Sequence, residues 1–359
     1  MRKNTIILSA VVLLILAAGI GAFFALNKKE NISFDFQNND KKAEAIKSGW
    51  QEISPDGPMW DGRDSHTAIV FKEKIWVAGG VEGGKITPPP VYEKINHASD
   101  LWVSSDLVNW QLVTDKAPWH HRRTMSSVVF KDKLWLMGGW ELDYGETKND
   151  IMASENGTDW KTVTSSAEWD PREGMTLNEF NGKLWLTGGV NFFTHKTYND
   201  VWSSVDGKKW TLATVNAPWA KRYDHTLAVF KNKMYLIGGM DFGNKVFKDV
   251  WTSEDGINWT LETDNPPWLP RHGNVAIDIG NQLFLIAGWC EDKDKGLNDT
   301  WYTEDGKNWT ELKIKADWPG REDVAGIIWN DKIVIMGGMA DLGNQWEWKN
   351  DIWQLNLGN

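Results

Sequence analysis

The stretch Trp219-Ala220-Lys221-Arg222 leads into the apolar run His225 to Phe230, then Met234 to Gly239, then Lys248-Asp249-Val250-Trp251, then Asp255-Gly256-Ile257-Asn258-Trp259. Its landmarks recur in the same order along the chain. Trp60…Arg63, Trp119…Arg122, Trp169…Arg172, Trp268…Arg271 and Trp318…Arg321 repeat the first pair, three steps apart each time. The doublets Gly79-Gly80, Gly138-Gly139, Gly188-Gly189, Gly238-Gly239 and Gly337-Gly338 keep the register, with Ala287-Gly288 as the imperfect member. A period of about 50 residues signals a propeller or a solenoid.

Each repeat carries short apolar segments. In the second copy they are Met125 to Phe130, Lys133 to Met137, Ile151 to Ser154 and Trp160 to Val163. Such lengths fit strands, and nearly continuous apolar runs fit strands covered on both faces by neighbouring sheets. The doublets leave room where backbone crowds backbone. Asp206-Gly207, Asp255-Gly256 and Asp305-Gly306 are tight-turn signals. The Asp that opens each third strand (Asp100, Asp150, Asp200, Asp249, Asp299, Asp351) is expected to bond nearby backbone N–H groups. The chain closes on a third strand, Asp351 to Leu355, with no fourth after it; Trp50 to Ser54, lying ahead of Trp60 much as Trp210 lies ahead of Trp219, is expected to complete that last sheet.

Gly-Gly after an apolar strand, a polar loop, an aromatic third strand and a downstream Trp resemble the kelch repeat, over residues 50 to 357 and in all six copies. The resemblance implies an all-β, six-bladed kelch-type β-propeller, assigned to residues 48–359. The Ser204-x-Asp206-Gly207-x-x-Trp210 turns also resemble the Asp-box of sialidases, one residue short of its spacing. Kelch propellers include a copper oxidase and periplasmic sugar-acid (sialic acid) mutarotases. Cys290 beside Trp289 resembles the first only superficially, so no metal and no cofactor is expected.

Composition narrows the function. The net charge of −10 argues against a nucleic-acid binder. The sole cysteine, Cys290, rules out an intrachain disulfide. Most of the 25 tryptophans stand at repeat positions and belong to the architecture. At the N-terminus, Thr5 to Leu26 carries no charge and is long enough to cross a hydrocarbon layer of about 30 Å. Residues 1–26 are therefore expected to be a signal anchor or transmembrane helix, uncleaved, and 27–47 a polar linker. The body is expected outside the cytoplasm, periplasmic or at the cell surface, or secreted if the signal is cut, and monomeric.

In a propeller the blade-to-blade connection and the loop between strands two and three share a face. Every Trp-x-x-Arg falls in the first kind of segment, so Arg63, Arg122, Arg172, Arg222, Arg271 and Arg321 are expected to converge at the channel mouth. Guanidiniums about 10 Å apart repel by roughly 1.7 kcal/mol per pair at an effective dielectric of 20, so the ring needs anions. Asp224 and Asp323 serve Arg222 and Arg321; Ser65, Thr124, Gly174 and Gly273 supply no charge at the other positions. Asp64, Glu173 and Glu141 fill that gap, or a ligand does, since Arg suits bidentate recognition of carboxylate, sulfate or phosphate. The structural alternative has each Arg stacking on its Trp and bonding a carbonyl of the next blade.

All seven histidines fall in segments of the same face, among them His66, His121 and His272. Trp140 and Trp289 stand in the strand-two loops, with Phe192, Phe242, Trp346 and Trp348 in counterpart positions. Aromatics around a basic centre suit sugar stacking or a peptide. The expected function is binding of an anionic glycan or a protein partner through this face. One alternative, drawn from the resemblance, is a sugar-acid mutarotase using Arg222, Asp224 and His225; a further one is a structural scaffold of an envelope complex.

Overall fold

The computed structural model describes residues 49–357 apart from 84, 87–94, 315 and 344. The expected anchor (1–26) and linker (27–47) lie outside the described residues. Among those that are described, no helix is long and apolar enough to cross a membrane.

The repeat folds as the apolar segments dictate. Six four-stranded antiparallel sheets follow one another, the first five each a simple meander. The second is Ser126–Phe130, Lys133–Met137, Ile151–Ser154 and Trp160–Thr164, within a residue of the sequence reading. The last sheet uses chain from both ends: Gly49–Ile53 pairs with Ile352–Asn356 in the register Gly49↔Asn356 to Ile53↔Ile352. The first strands of the six sheets lie against one another in a closed cycle, the first sheet's Thr67–Phe71 touching both Ser126–Phe130 and Ala325–Trp329.

Six apolar clusters hold this arrangement, one between each pair of neighbouring sheets. Each contains one Trp of the Trp-x-x-Arg series, 0–2% exposed. That indole meets edge-on the Trp of its own sheet's outer strand, from Trp60–Trp110 at 4.3 Å to Trp169–Trp210 at 6.5 Å. Trp50 takes the same place against Trp318 at 5.6 Å, which puts the closing strand in the register of the internal ones. Edge-to-face pairs of this kind add about 0.5–1.5 kcal/mol each beyond their burial.

The Asp-Gly turns join sheets too. In the third sheet Ser204 Oγ accepts from the N–H groups of Asp206 and Gly207, and Asp206 Oδ1 accepts from Lys208 and Lys209. Gly207 has φ +76°, and a Cβ there would stand 2.6 Å from the Trp135 ring of the preceding sheet. Glycine thus lets the second-strand aromatic of one sheet lie flat on the next sheet's turn.

A second tier of short strands covers one end of the sheets. Arg63–Asp64 pairs with Val81–Glu82, Arg122–Arg123 with Trp140–Glu141, and Arg321–Glu322 with Met339–Ala340. Single bridges Glu173↔Val190, Tyr223↔Met240 and His272↔Trp289 complete the set. The segment after each Trp-x-x-Arg is thereby bonded to the loop that follows each second strand, so both kinds of segment do share a face.

Candidate functional site

The six repeated arginines overturn one expectation. Each is 0–2% exposed and already neutralised by the Asp that opens the third strand of its own sheet. Arg172 is typical: Nη1 and Nη2 bond Asp200 Oδ1 and Oδ2 at 2.6 and 3.0 Å, Nη1 also bonds the Gly188 carbonyl at 2.9 Å, and Nε bonds the Asp170 carbonyl at 3.0 Å. Arg63–Asp100, Arg222–Asp249, Arg271–Asp299 and Arg321–Asp351 repeat the fork at 2.5–3.0 Å. Arg122 splits it between Asp150 and Glu141. In the other five sheets the Trp two residues after the Asp also donates its indole N–H to that carboxylate; Met152 stands there in the second. The aspartates thus hold guanidinium and indole, not the backbone N–H groups expected.

The arginine backbone seals the ring. The N–H of the second Gly of each doublet donates to the Arg carbonyl of the next sheet: Gly80 to Arg122, Gly139 to Arg172, Gly189 to Arg222, Gly239 to Arg271, Gly288 to Arg321 and Gly338 to Arg63. The series is architectural: five of the six also bond a carbonyl through Nε, and the unpartnered Nε of Arg122 is buried. It also differs from the expected carbonyl of the next blade, since every side-chain bond stays within its own sheet.

The site lies one and two residues further on. The residues after the arginines are Asp64, Arg123, Glu173, Tyr223, His272 and Glu322: three acids, one guanidinium, one phenol and one imidazole. Next come Ser65, Thr124, Gly174, Asp224, Gly273 and Asp323, all at φ between +48° and +60°. Their backbones hydrogen-bond around the axis: Thr124 N–H to Ser65 O, Asp224 to Gly174, Gly273 to Asp224, Asp323 to Gly273 and Ser65 to Asp323. A left-handed conformation costs a non-glycine residue about 1–2 kcal/mol, which this ring overcomes four times. Glycine recurs where a side chain has no room: a Cβ on Gly174 would meet Asp224 Oδ1 at 2.5 Å, and one on Gly273 would meet Asp323 Oδ1 at 2.4 Å.

Above this ring is a cavity of about 320 Å³ lined by Asp64, Ser65, His97, Arg123, Trp140, Asp323, Trp346 and Trp348, among others. Below it, a channel of about 240 Å³ is lined by His66, Thr176, Asp224, His225 and Asn274 with their neighbours. Arg123 is the guanidinium of the upper cavity. Its Nε bonds Glu173 Oε2 at 3.0 Å, its plane stands 5.1 Å from the Trp140 ring, and its side chain is 33% exposed. Among the described residues neither of its Nη groups is hydrogen-bonded, so the planar edge that the six repeated arginines have committed is open here.

Carboxyls surround it. Burial, with the neighbouring Asp323, pushes Asp64 up to about 7. Burial and the same neighbour raise Asp224 and Glu322 well above the carboxylate range, and burial raises Asp323, whose bond from Ser65 Oγ at 2.9 Å works the other way. Desolvation lowers Arg123, but Glu173, Asp64 and Asp224 more than offset it and hold the guanidinium charged. Burial drops His97, His66 and His225 to about 3 and His272 to about 4, so these imidazoles are neutral.

Stability should therefore respond to pH in two opposed ways. The raised carboxyls contribute stability that is fully present below their unfolded values near 4 and is lost as pH rises through their folded values, about 7 for Asp64. The depressed histidines contribute stability present above about 6.5 that is lost as pH falls toward 3–4. Asp64→Asn should raise stability at pH 8 by on the order of 2–4 kcal/mol and leave it unchanged at pH 4, in thermal melts across that range. Equal effects at both pH values would mean that Asp64 titrates normally.

Of the expected site residues, Trp140 lines the cavity. Trp289 is buried behind it, edge-on to Trp346 at 6.0 Å, with its N–H on Glu291. His66 lines the lower channel, His272 is buried 3.5 Å from Glu322, and His121 sits on the outer rim bonded to Asp143 at 2.8 Å. The alternative catalytic set does not assemble: Arg222 is consumed by Asp249, and His225 points at Thr176 and Thr187. His120, Glu141 and Asp143 bring metal-ligand atoms within 4.8 Å of one another, but Glu141 already holds Arg122 and Lys148.

Sequence reasoning missed Arg123, His97 and Asp323 as cavity residues. The available signal was variation: beside an Arg that never changes, the next position takes five residue types in six repeats.

With fold and site in hand, the family follows. The model of the KLHDC2/KLHL20/DRC7 Kelch-repeats domain matches residues 174–359, just over half of the chain, and the chain belongs to the kelch-repeat family. Among solved structures it is similar to one described as "Structure of YjhT", with a TM-score of 0.63 and 16% identity over 83% of this chain and 95% of that chain. At that identity the likeness carries the β-propeller fold alone. No curated protein sequence matches.

Proposed function

We propose that the chain is a six-bladed kelch propeller that binds a small carboxylate-bearing ligand, an acidic sugar or the end of an acidic glycan, in the axial cavity above the ring. The observation that carries the reading is the open Nη edge of Arg123 in a cavity walled by Trp140, Trp346 and Trp348. A guanidinium edge takes a carboxylate bidentately, and indole faces stack on the apolar side of a pyranose. The cavity volume falls at the lower end of small-ligand sites. The uncharged Thr5 to Leu26 supports tethering of the domain outside the cytoplasm.

The test is calorimetric titration of a fragment starting at Lys47 with glucuronate, galacturonate and N-acetylneuraminate. Arg123→Gln should weaken the acid that binds by about 10- to 100-fold, the loss of a charge-assisted bidentate contact, read well below the variant's melting temperature, which should itself fall because the buried Glu173 loses its cation. An acid that binds Arg123→Gln as well as the unaltered chain would remove the proposal.

Catalysis is the second reading, favoured by the Asp64 carboxyl, which titrates near neutrality at the cavity wall. A group of that kind suits proton transfer to and from a sugar's ring oxygen or anomeric hydroxyl. Exchange spectroscopy on the anomeric protons of a bound sugar acid separates the two readings: an enhanced exchange rate that Asp64→Asn abolishes marks a mutarotase, and an unchanged rate a lectin.

A further inference from the structure

Of the carboxyls that Arg123 faces, Asp64, Asp224, Glu322 and Asp323 are biased by burial and by one another toward the neutral form. Asp64, Glu173, Asp224, Glu322 and Asp323 interact electrostatically with one another at the ring, and the guanidinium of Arg123 is the cation that faces them. The other groups in reach add no positive charge at neutral pH: His97 and His272 are neutral, Tyr223 is un-ionised, and Glu291 and Asp241 are acidic. Glu173 Oε2 accepts from both Arg123 Nε and Thr124 Oγ1, while its buried Oε1 has no hydrogen-bond partner among the described residues. Asp64 and Asp323 line the cavity itself, and Asp64, 6% exposed and facing the Ser65 and Trp348 side chains, has an Oδ1 with no hydrogen-bond partner among the described residues.

Resting on the reading that Arg123 takes a carboxylate, we infer that the ligand is zwitterionic, with its carboxylate on Arg123 and an ammonium group on Asp64 and Asp323. A bare anion brought into this cluster would bias its carboxyls further toward the neutral form, whereas an ammonium stabilises the ionised form of a buried carboxyl that has one oxygen without a donor. The shared chemistry has two sources: an amino-sugar acid with a free amine, or an α-amino acid.

Linkage gives the idea a signature that affinity alone would not. An ammonium stabilises the ionised forms of Asp64 and Asp323, so its binding releases protons; a bare anion favours their neutral forms and takes protons up. Calorimetry at pH 7.5 in phosphate and in Tris, whose ionisation enthalpies differ, reads the sign directly. The probes are muramic acid against N-acetylmuramic acid, and phenylalanine against N-acetylphenylalanine.

In one of the pairs the free amine should bind about 10-fold or more tighter than its acetylated partner, with proton release. That pair identifies the source. Asp64→Asn and Asp323→Asn, near-isosteric changes, should each shrink the preference, and Arg123→Gln should weaken all probes that bind. Equal or tighter binding of the acetylated compounds, with proton uptake, overturns the inference and leaves the carboxylate site standing. Failure of all four probes, together with uronates indifferent to Arg123→Gln, overturns both.

Discussion

Asp200→Ala should destabilise the protein by about 3–5 kcal/mol, although the residue touches no cavity and carries no chemistry. The change leaves the Arg172 guanidinium, 0% exposed, without the fork that neutralises it, and strips the Trp202 indole of its acceptor. Removing one partner of a buried pair costs far more than the pair is worth, because the surviving charge stays desolvated. Asp150→Ala is the internal control: Arg122 keeps Glu141 at 3.1 Å and no indole depends on Asp150, so the loss should be smaller. Urea unfolding of both variants, compared at equal m-value, checks the ordering. Losses below about 1 kcal/mol for Asp200→Ala would show that water reaches the guanidinium and that the buried reading of these arginines is wrong.

Trp50→Ala should cost a similar 3–5 kcal/mol as a cavity, and more as an opened ring. Trp50 is 8% exposed, packs edge-on against Trp318 and donates its indole N–H to Thr300 Oγ1 at 3.3 Å. It anchors Gly49–Ile53, and those residues cover the Ile352–Asn356 strand, which would otherwise present an unpaired edge. Trp210→Ala removes the equivalent side chain from the third sheet, where the chain is continuous on both sides. The cavity term is common to both variants. A larger loss for Trp50→Ala, with early proteolysis ahead of Trp60 and concentration-dependent association, isolates the contribution of closure. Identical unfolding curves would mean that the closing strand adds packing and nothing topological.

Much of this architecture was legible beforehand because repetition averages away local ambiguity. A single Trp-x-x-Arg says little; six in register with Gly-Gly and Asp-Gly fix the strand boundaries of the second sheet to within a residue. The site was read less well, and for a definable reason. The six arginines repeat, and so did the expectation built on them, but their partner is a repeated residue as well. Asp200 stands 28 positions after Arg172, and in sequence each looked complete by itself: an Asp for a turn, an Arg for a ligand. Burial joins them, and a bidentate pair removes both from the list of candidates.

Arg123 was hidden by its neighbour. Next to Arg122 it looked like one more basic residue of His120-His121-Arg122-Arg123. In a strand, adjacent side chains point to opposite sides, so the two guanidiniums part company: Arg122 turns into its own sheet toward Asp150, and Arg123 turns to the axis toward Glu173.

From the sequence alone came the sixfold repeat, the strand order within each sheet, the closure by an N-terminal strand and the shared face of the two kinds of connecting segment, because each follows from periodicity and turn chemistry that act over short spans of chain. The choice of which charges remain free was made by the tertiary structure. It depends on residues dozens of positions apart meeting in low dielectric, where Coulomb attraction and desolvation are large and opposed, and no local pattern records which of the two prevails.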